Sequence, residues 1–297
     1  MNVTLRQLEI FLAVAQREHV GRAAEVLQLA QSAVSAAIAE LGRLLGGPLV
    51  ERAGRRIALT ERGRRLVPVA DDLVRRAEDL ELRFRSGGRL AGSLRLGASS
   101  TIGTYLLPRI IGEFAVLHPE VQIELTVGNS AAIEAGLVDR SLDLAFVEGP
   151  PMQPSLAVTA WRTDRLVVFA APIHPLARCR VATLDQLAAQ RWVVREPGSG
   201  TRLVFDAALR SAGIAIDVGL QLGNSEAVKL AVGSGLGLGC LSELAIAREL
   251  ARGELRAVRT PDLQLERTLW QLQRRYGHAS DLALAFAAAA AGGAAKG

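Results

Sequence analysis

Apolar residues recur at helical spacing through the first third of the chain. Leu8, Phe11, Leu12 and Ala15 share one face, which predicts an amphipathic helix over residues 5–16. A short second helix over 21–27 carries Ala23, Ala24 and Leu27. After Gln28-Leu29-Ala30, a third helix places Val34, Ile38, Leu41 and Leu45 on one stripe. Its opposite face is polar or small, with Ser32, Ser35, Ala36, Ala39 and Arg43, and Gln31 at its edge. Two helices joined by a tight turn, the second with such a face, predict a helix-turn-helix; a plain αα-hairpin is the alternative. Gly46-Gly47-Pro48 ends the third helix. Two short strands, 49–52 and 57–59, then flank Ala53-Gly54-Arg55-Arg56, which predicts a wing whose arginines can enter a narrow minor groove. Thr60 opens a long helix to about Arg85 whose apolar stripe is Leu66, Val69, Leu73, Ala77, Leu80 and Phe84. A twin helix in a second chain is the simplest cover for that stripe, and packing on its own domain is the alternative. Ser86-Gly87-Gly88 reads as a hinge.

From Ser93 the pattern changes to short apolar runs alternating with helical stretches. Residues 94–98, 121–127, 142–147, 166–170, 192–195, 218–222 and 236–241 are strand candidates. Helical stretches such as 103–117, 131–138, 201–212, 225–234 and 244–251 lie between them. This alternation predicts an α/β architecture with mainly parallel strands. The alanine-rich tail from Leu282 predicts a last helix.

Composition narrows the function classes. With 49% hydrophobic and 22% charged residues, the 297-residue chain has the make-up of a folded globular protein and the length of two or three domains. No apolar run reaches the roughly 20 residues of a membrane helix, and the first residues have no signal-peptide core, so no membrane role and a cytoplasmic location are expected. Cys179 and Cys240 are isolated and the four histidines are scattered, so neither a disulfide framework, a metal site nor a cofactor is expected. The net charge is +5, but position says more than the total. Arg43, Arg52, Arg55, Arg56, Arg62, Arg64 and Arg65 cluster against only Glu51 and Glu61, which suits a polyanion. Enzyme readings find no support. Gly235–Cys240 begins like a dinucleotide-binding glycine motif but lacks its last glycine, and no nucleophile elbow or HExxH zinc motif occurs, so no catalytic residue is expected.

Residues 4–66 resemble the winged helix-turn-helix of LysR-type transcriptional regulators. The resemblance rests on LRQLEIFLAVA, RAAEVL, QSAVSAAIAELG, PLVER and the GRR…LTERG wing. It continues through GASSTIGTYLLPRIIGEF, VEGP, REPGSGTR and GSGLGLGCLS, which look like the branch containing the carbon-fixation regulator CbbR and the sulfur regulators CysL and YeiE. It implies a DNA-binding domain (1–60), a linker and dimerisation helix (61–88) and an effector-binding domain (89–297) with two lobes like a periplasmic binding protein. Chain crossings near Trp161–Asp164 and Leu265–Thr268 make lobe one about 90–162 plus 267–297 and lobe two about 163–266. The implied partners are operator DNA, a small anionic effector and the chain itself, as a homodimer and a tetramer built as a dimer of dimers. A solute-binding module with no DNA role is the alternative. The chain departs from the family's usual residues at Ala30, Ser32 and Ala36, where serine, proline and arginine are common.

These assignments set the candidate sites. Gln31, Ser32 and Ser35 are expected to read base edges, and Arg43, Arg55 and Arg56 to meet phosphates or the minor groove. On the effector side, the strand ending in Ser99-Ser100-Thr101 and the one leading through Arg195 to Ser199, Thr201 and Arg202 each open a helix, where hydroxyls and free N–H groups favour an anion. Asn129 and Glu148 end neighbouring strands and line the same cleft, with Glu148 requiring Arg195 or Arg202 to neutralise it.

Overall fold

The computed structural model describes residues 2–53, 56–85, 89–275 and 280–292. They form two compact units, Met1–Ser93 with Asp139–Ser141, and Leu94–Val138 with Leu142–Gly297.

In the first unit, α1 (Leu5–Arg17) begins with a reciprocal cap: the Gln7 N–H donates to Thr4 Oγ1 at 3.2 Å, and the Thr4 N–H donates to Gln7 Oε1 at 2.9 Å. The second helix, α2 (Val20–Leu27), is capped by His19, whose Nδ1 accepts from the Arg22 N–H. Helix α3 (Gln31–Leu44) starts from Ala30 without any side-chain cap. Strands β1 (Val50–Ala53) and β2 (Arg56–Leu59) pair antiparallel, with Val50 opposite Leu59. Thr60 opens α4 (Glu61–Arg85) by accepting from the Gly63 N–H at 3.0 Å while donating to the Pro48 carbonyl at 2.9 Å. Leu8 and Phe11 of the expected α1 stripe and Val34, Ile38 and Leu41 of the α3 stripe are buried in the core together with Ile10, Ala13 and Val14, whereas Leu12, Ala15 and Leu45 are only partly buried. Full burial of such large apolar side chains contributes about 1.5–3 kcal/mol each. The α4 stripe divides: Leu66 packs into the domain with Val67, Ala70 and Val74, whereas Val69, Leu73, Leu80 and Phe84 are exposed. The hinge expected at 86–88 lies outside the described residues.

The second unit runs β3 (Gly92–Ser99), α5 (Ser100–Tyr105), α6 (Leu107–Leu117), β4 (Val121–Gly128), α7 (Ser130–Val138), β5 (Leu144–Glu148) and β6 (Leu156–Ala170). There follow α8 (Leu184–Ala188), β7 (Arg191–Arg195), α9 (Gly200–Ser211), β8 (Asp217–Leu222), α10 (Ser225–Gly233), β9 (Leu238–Ser242) and α11 (Glu243–Arg252). Strands β10 (Arg256–Val258) and β11 (Glu266–Arg274) and helix α12 (Asp281–Gly292) complete it. One sheet holds them in the order β4-β3-β5-β11-β6-β9-β7-β8, with β10 on β6. The β3–β5, β7–β8 and β7–β9 pairs are parallel, as the alternating pattern predicts. The centre is antiparallel. The first part of β6 pairs with β11 in lobe one, and its last residues pair with β9 and β10 in lobe two. Neither β11 nor the first half of β6 is among the strands predicted from apolar runs. The helix expected over 103–117 is two helices, divided at Leu106 ahead of Pro108. Lobe one packs Ile133, Leu137, Val147 and Leu272, and lobe two packs Leu166, Val168, Trp192 and Phe205.

Candidate functional site: a helix-turn-helix face and an interlobe cleft

In the first unit, Gln31, Ser32, Ser35, Ala36, Ala39 and Arg43 are all exposed along α3, while Val34, Ile38 and Leu41 anchor the opposite face. The three expected base readers therefore share one accessible surface. A groove of about 960 Å³ runs between this face and the β1–β2 hairpin, lined by Gln31, Ser35, Ala39 and Arg43 on one side and Val50 and Ile57 on the other. Glu40 holds Arg43 through two bonds, Nε to Oε2 at 2.7 Å and Nη2 to Oε1 at 2.6 Å, and the hydrogen bond from Arg43 lowers the Glu40 pKa. Arg55 and the side chain of Arg56 lie outside the described residues.

In the second unit, the ends of β3, β5 and α9 converge on Glu148. Its carboxylate accepts from Ser99 Oγ (2.9 Å), the Thr101 N–H (2.7 Å), Thr201 Oγ1 (2.7 Å) and Arg267 Nη1 (2.9 Å). Burial alone would raise the carboxyl pKa. The Arg267 charge and the bonds from Thr201, Ser99 and Thr101 outweigh it and hold the pKa at about 2. Arg267 also donates Nε to Asp164 Oδ2 at 2.7 Å, and Ser242 Oγ donates to Asp164 Oδ1 at 2.8 Å. The neutralising cation is thus Arg267 on β11, and neither Arg195 nor Arg202. Arg195 binds Glu196, with Nε to Oε2 at 2.7 Å, and Arg202 binds Asp206 and the Arg195 carbonyl. Sequence reasoning missed Arg267, Asp164 and Ser242; the available signal was two charged residues at the two crossings.

The expected anion-site residues fall into two groups. Ser99, Thr101 and Thr201 are buried and committed to Glu148. Ser99 starts α5 without capping it, whereas Ser199 caps α9 by accepting from the Arg202 N–H. Ser100 and Asn129 instead line an open cavity of about 410 Å³ between the lobes, with Tyr105, Glu196, Asn224, Ser225 and Glu226. Behind its wall, buried Arg195 donates to Ser225 Oγ at 3.0 Å and Ser100 Oγ at 3.3 Å. The Ser100 hydroxyl donates in turn to the Gly128 carbonyl. Asn224 caps α10, so the first turn of that helix opens on the cavity. Across its mouth, Tyr105 of lobe one donates to Glu226 of lobe two at 2.9 Å; burial and this bond raise the tyrosine pKa. Both cavity carboxylates are paired, Glu196 with Arg195 and Glu226 with Lys229. Among the described residues no group of three or more metal-ligating side chains is assembled, and no helix is long and apolar enough to cross a membrane.

A helix-turn-helix with a winged hairpin, joined to a two-lobed α/β domain with an interlobe cleft, defines a ligand-responsive DNA-binding regulator. The family profile "Bacterial regulatory helix-turn-helix protein, lysR family" matches residues 5–64 and "LysR substrate binding domain" matches 87–295, and the chain belongs to the LysR family of transcriptional regulators. It is 44% identical over 281 residues to the uncharacterized HTH-type transcriptional regulator YeiE of Escherichia coli K12, covering 95% of this chain and 94% of that one. It is 37% identical over 280 residues to the RuBisCO operon transcriptional regulator of Allochromatium vinosum, covering 93% and 91%. The regulatory domain of Synechocystis PCC6803 CcmR, solved in complex with 2-PG, superposes with a TM-score of 0.64 at 28% identity, over 69% of this chain and 98% of that one. These relatives are regulators, not enzymes, and nothing among them supports a solute-binding module without a DNA role.

Proposed function

We propose that this regulator binds a two-fold symmetric operator as a dimer, through Gln31, Ser32 and Ser35 on α3, with Arg43, Arg55 and Arg56 on the phosphate backbone, and that a small anion between the lobes controls it. The exposed stripe of α4 supports the dimer. A tetramer built as a dimer of dimers and a cytoplasmic location belong to the same reading.

The observation that carries the effector assignment is the cavity beside Ser100 and Ser225. Ser225 Oγ accepts from Arg195, which leaves its own proton to donate outward. Asn129 and the first turn of α10 add donors, and the helix dipole favours negative charge there. Because Arg195 is already paired with Glu196, the anion is held by hydroxyls, amides and backbone N–H groups backed by a cation, rather than by an open guanidinium. Sulfite, sulfate and small phosphorylated or carboxylated metabolites fit this donor set, and the complex of the CcmR domain with 2-PG lies in the same class.

Calorimetry with sulfite, sulfate, phosphate and 2-phosphoglycolate, in the presence and absence of operator DNA, tests the reading. A hydrogen bond to a charged group contributes roughly 1.5–3 kcal/mol. Ser225→Ala is therefore expected to weaken the bound anion about tenfold or more while operator binding without effector stays intact. Equal affinity in Ser225→Ala and in Asn129→Ala overturns the pocket assignment.

A further inference from the structure

A second, smaller cavity of about 140 Å³ also lies between the lobes, and its chemistry is the reverse of the first. Its walls are α7 and the loop after β5 in lobe one, and residues 198–203 in lobe two. It shares no lining residue with the cavity beside Ser100 and Ser225. After β5, Gly149 turns the chain at a φ of 74°, and the loop that follows folds back onto Glu134 of α7. The Met152 and Gln153 N–H groups both donate to Glu134 Oε2, at 2.9 and 3.0 Å. The residue is only 4% exposed. Its other oxygen, Oε1, accepts from no group among the described residues, yet it is not sealed into the core and is left to face the cavity. Among the described residues no lysine, arginine or histidine pairs with this carboxylate, and burial raises its pKa.

A buried carboxylate without a cation is costly to keep. Holding the loop does not need the charge, because a glutamine oxygen would accept the same two N–H groups. The rest of the wall adds acceptors. Ser130 Oγ spends its proton on the Glu148 carbonyl and keeps a lone pair for the cavity. The first N–H groups of α7 are already taken, Ala131 by the Gly198 carbonyl and Ala132 by Asn129 Oδ1. The charge of Glu148 is answered by Arg267, so Glu134 sets the sign of the cavity. Among the described residues no lysine or arginine lines it, and an anion would meet Glu134 unshielded. A divalent metal would find no set of three ligating side chains. A protonated amine fits on every count. Its N–H groups donate to Glu134 Oε1 and Ser130 Oγ, its charge answers the carboxylate, and its alkyl part packs on Pro150, Met152 and Leu203.

We propose that this cavity is a second ligand site, for the ammonium group of a small primary amine, with Glu134 as its anchor. Its walls come from both lobes, so an amine bound there touches both. The site does not depend on the anion assignment.

The chain has two methionines, Met1 and Met152, so NMR of the full-length protein labelled at the methionine methyls is simple to read, and Met152→Leu assigns the resonance at the cavity. Titration with ethylammonium chloride is expected to shift the Met152 methyl saturably. Tetramethylammonium chloride, which carries the same charge but no N–H, and sodium acetate are expected to leave it in place at equal ionic strength. Glu134→Gln keeps an acceptor for the loop and removes the charge. The Met152 methyl of that variant should start from the parent position, and its ethylammonium affinity should fall about tenfold or more. Leu203→Phe, which narrows the cavity from lobe two, should weaken the amine as well. A Met152 methyl indifferent to ethylammonium overturns the proposal. So does an equal response to tetramethylammonium or acetate, or a response that survives intact in either variant.

Discussion

At the scale of single residues, Glu148 of lobe one is tied to Thr201 of lobe two and to Arg267 on β11. A carboxylate with 2% exposure would ordinarily titrate high, yet Arg267 and three other donors hold it at about 2. The folded-state pKa is depressed, so its contribution to stability is fully present above the unfolded value of about 4.3 and is lost as pH falls toward 2. Glu148→Gln breaks the ion pair and is expected to cost on the order of 3 kcal/mol at pH 7. The gap between parent and variant should narrow from about pH 5 downward and close only near pH 2 in denaturant melts. A gap that stays constant over that range would mean that the Glu148 charge is not the stabilising element. The sequence placed Glu148 in the cleft and required a cation beside it. It pointed to Arg195 and Arg202 because both lie near the end of β7. Arg267 lies 119 positions away from Glu148 and meets it only because β11 returns between the lobes. Chain distance of that size leaves no periodic trace.

Among elements, α4 shows what periodicity delivers and where it stops. The spacing predicted the helix and its apolar residues, but a 25-residue helix with two apolar faces does not announce which face its own domain will cover. Leu66 turned inward with Val67, Ala70 and Val74, and Leu73, Leu80 and Phe84 stayed exposed. If a second copy covers that outer stripe, Leu73→Asp places a charge in a dry seam at a cost of several kcal/mol. Light scattering should then show dissociation, and operator retention should fall with it. A Leu73→Asp protein that remains dimeric at low concentration would place the subunit contact elsewhere. The missed strands have a different cause. Short apolar runs find strands buried on both faces, as in β5 and β9, which are buried along their whole length. The first half of β6 and most of β11 are half-exposed and mix Thr159, Thr163, Gln271 and Gln273 with their apolar residues, so no run marks them.

For the second unit as a whole, the closeness of the lobes depends on Gly200. It begins α9 in lobe two, and a Cβ there would collide with the Glu148 carbonyl oxygen and meet Ser130 Oγ of lobe one. Thr201, the next residue, makes the bond to Glu148 across the same approach. Gly200→Ala must therefore push the lobes apart or strain α9, at about 1–3 kcal/mol. Hydrogen exchange at the start of α9 should quicken, and anion affinity should fall with it. Unaltered exchange and affinity in Gly200→Ala would show that the lobes close without this approach.

The two lobes share more than a cleft. Strands β6 and β11 run side by side through lobe one, and β6 then continues without interruption into the sheet of lobe two. A pair of domains joined by loose segments can tilt, slide and swivel. A pair joined by hydrogen-bonded strands cannot slide without breaking the ladder, so its lobes part or close by bending or twisting of the ribbon. Both deformations are easiest where the bulge at Leu269/Trp270 already interrupts the register. A ligand that grips both lobes is therefore registered as a change in the angle between them.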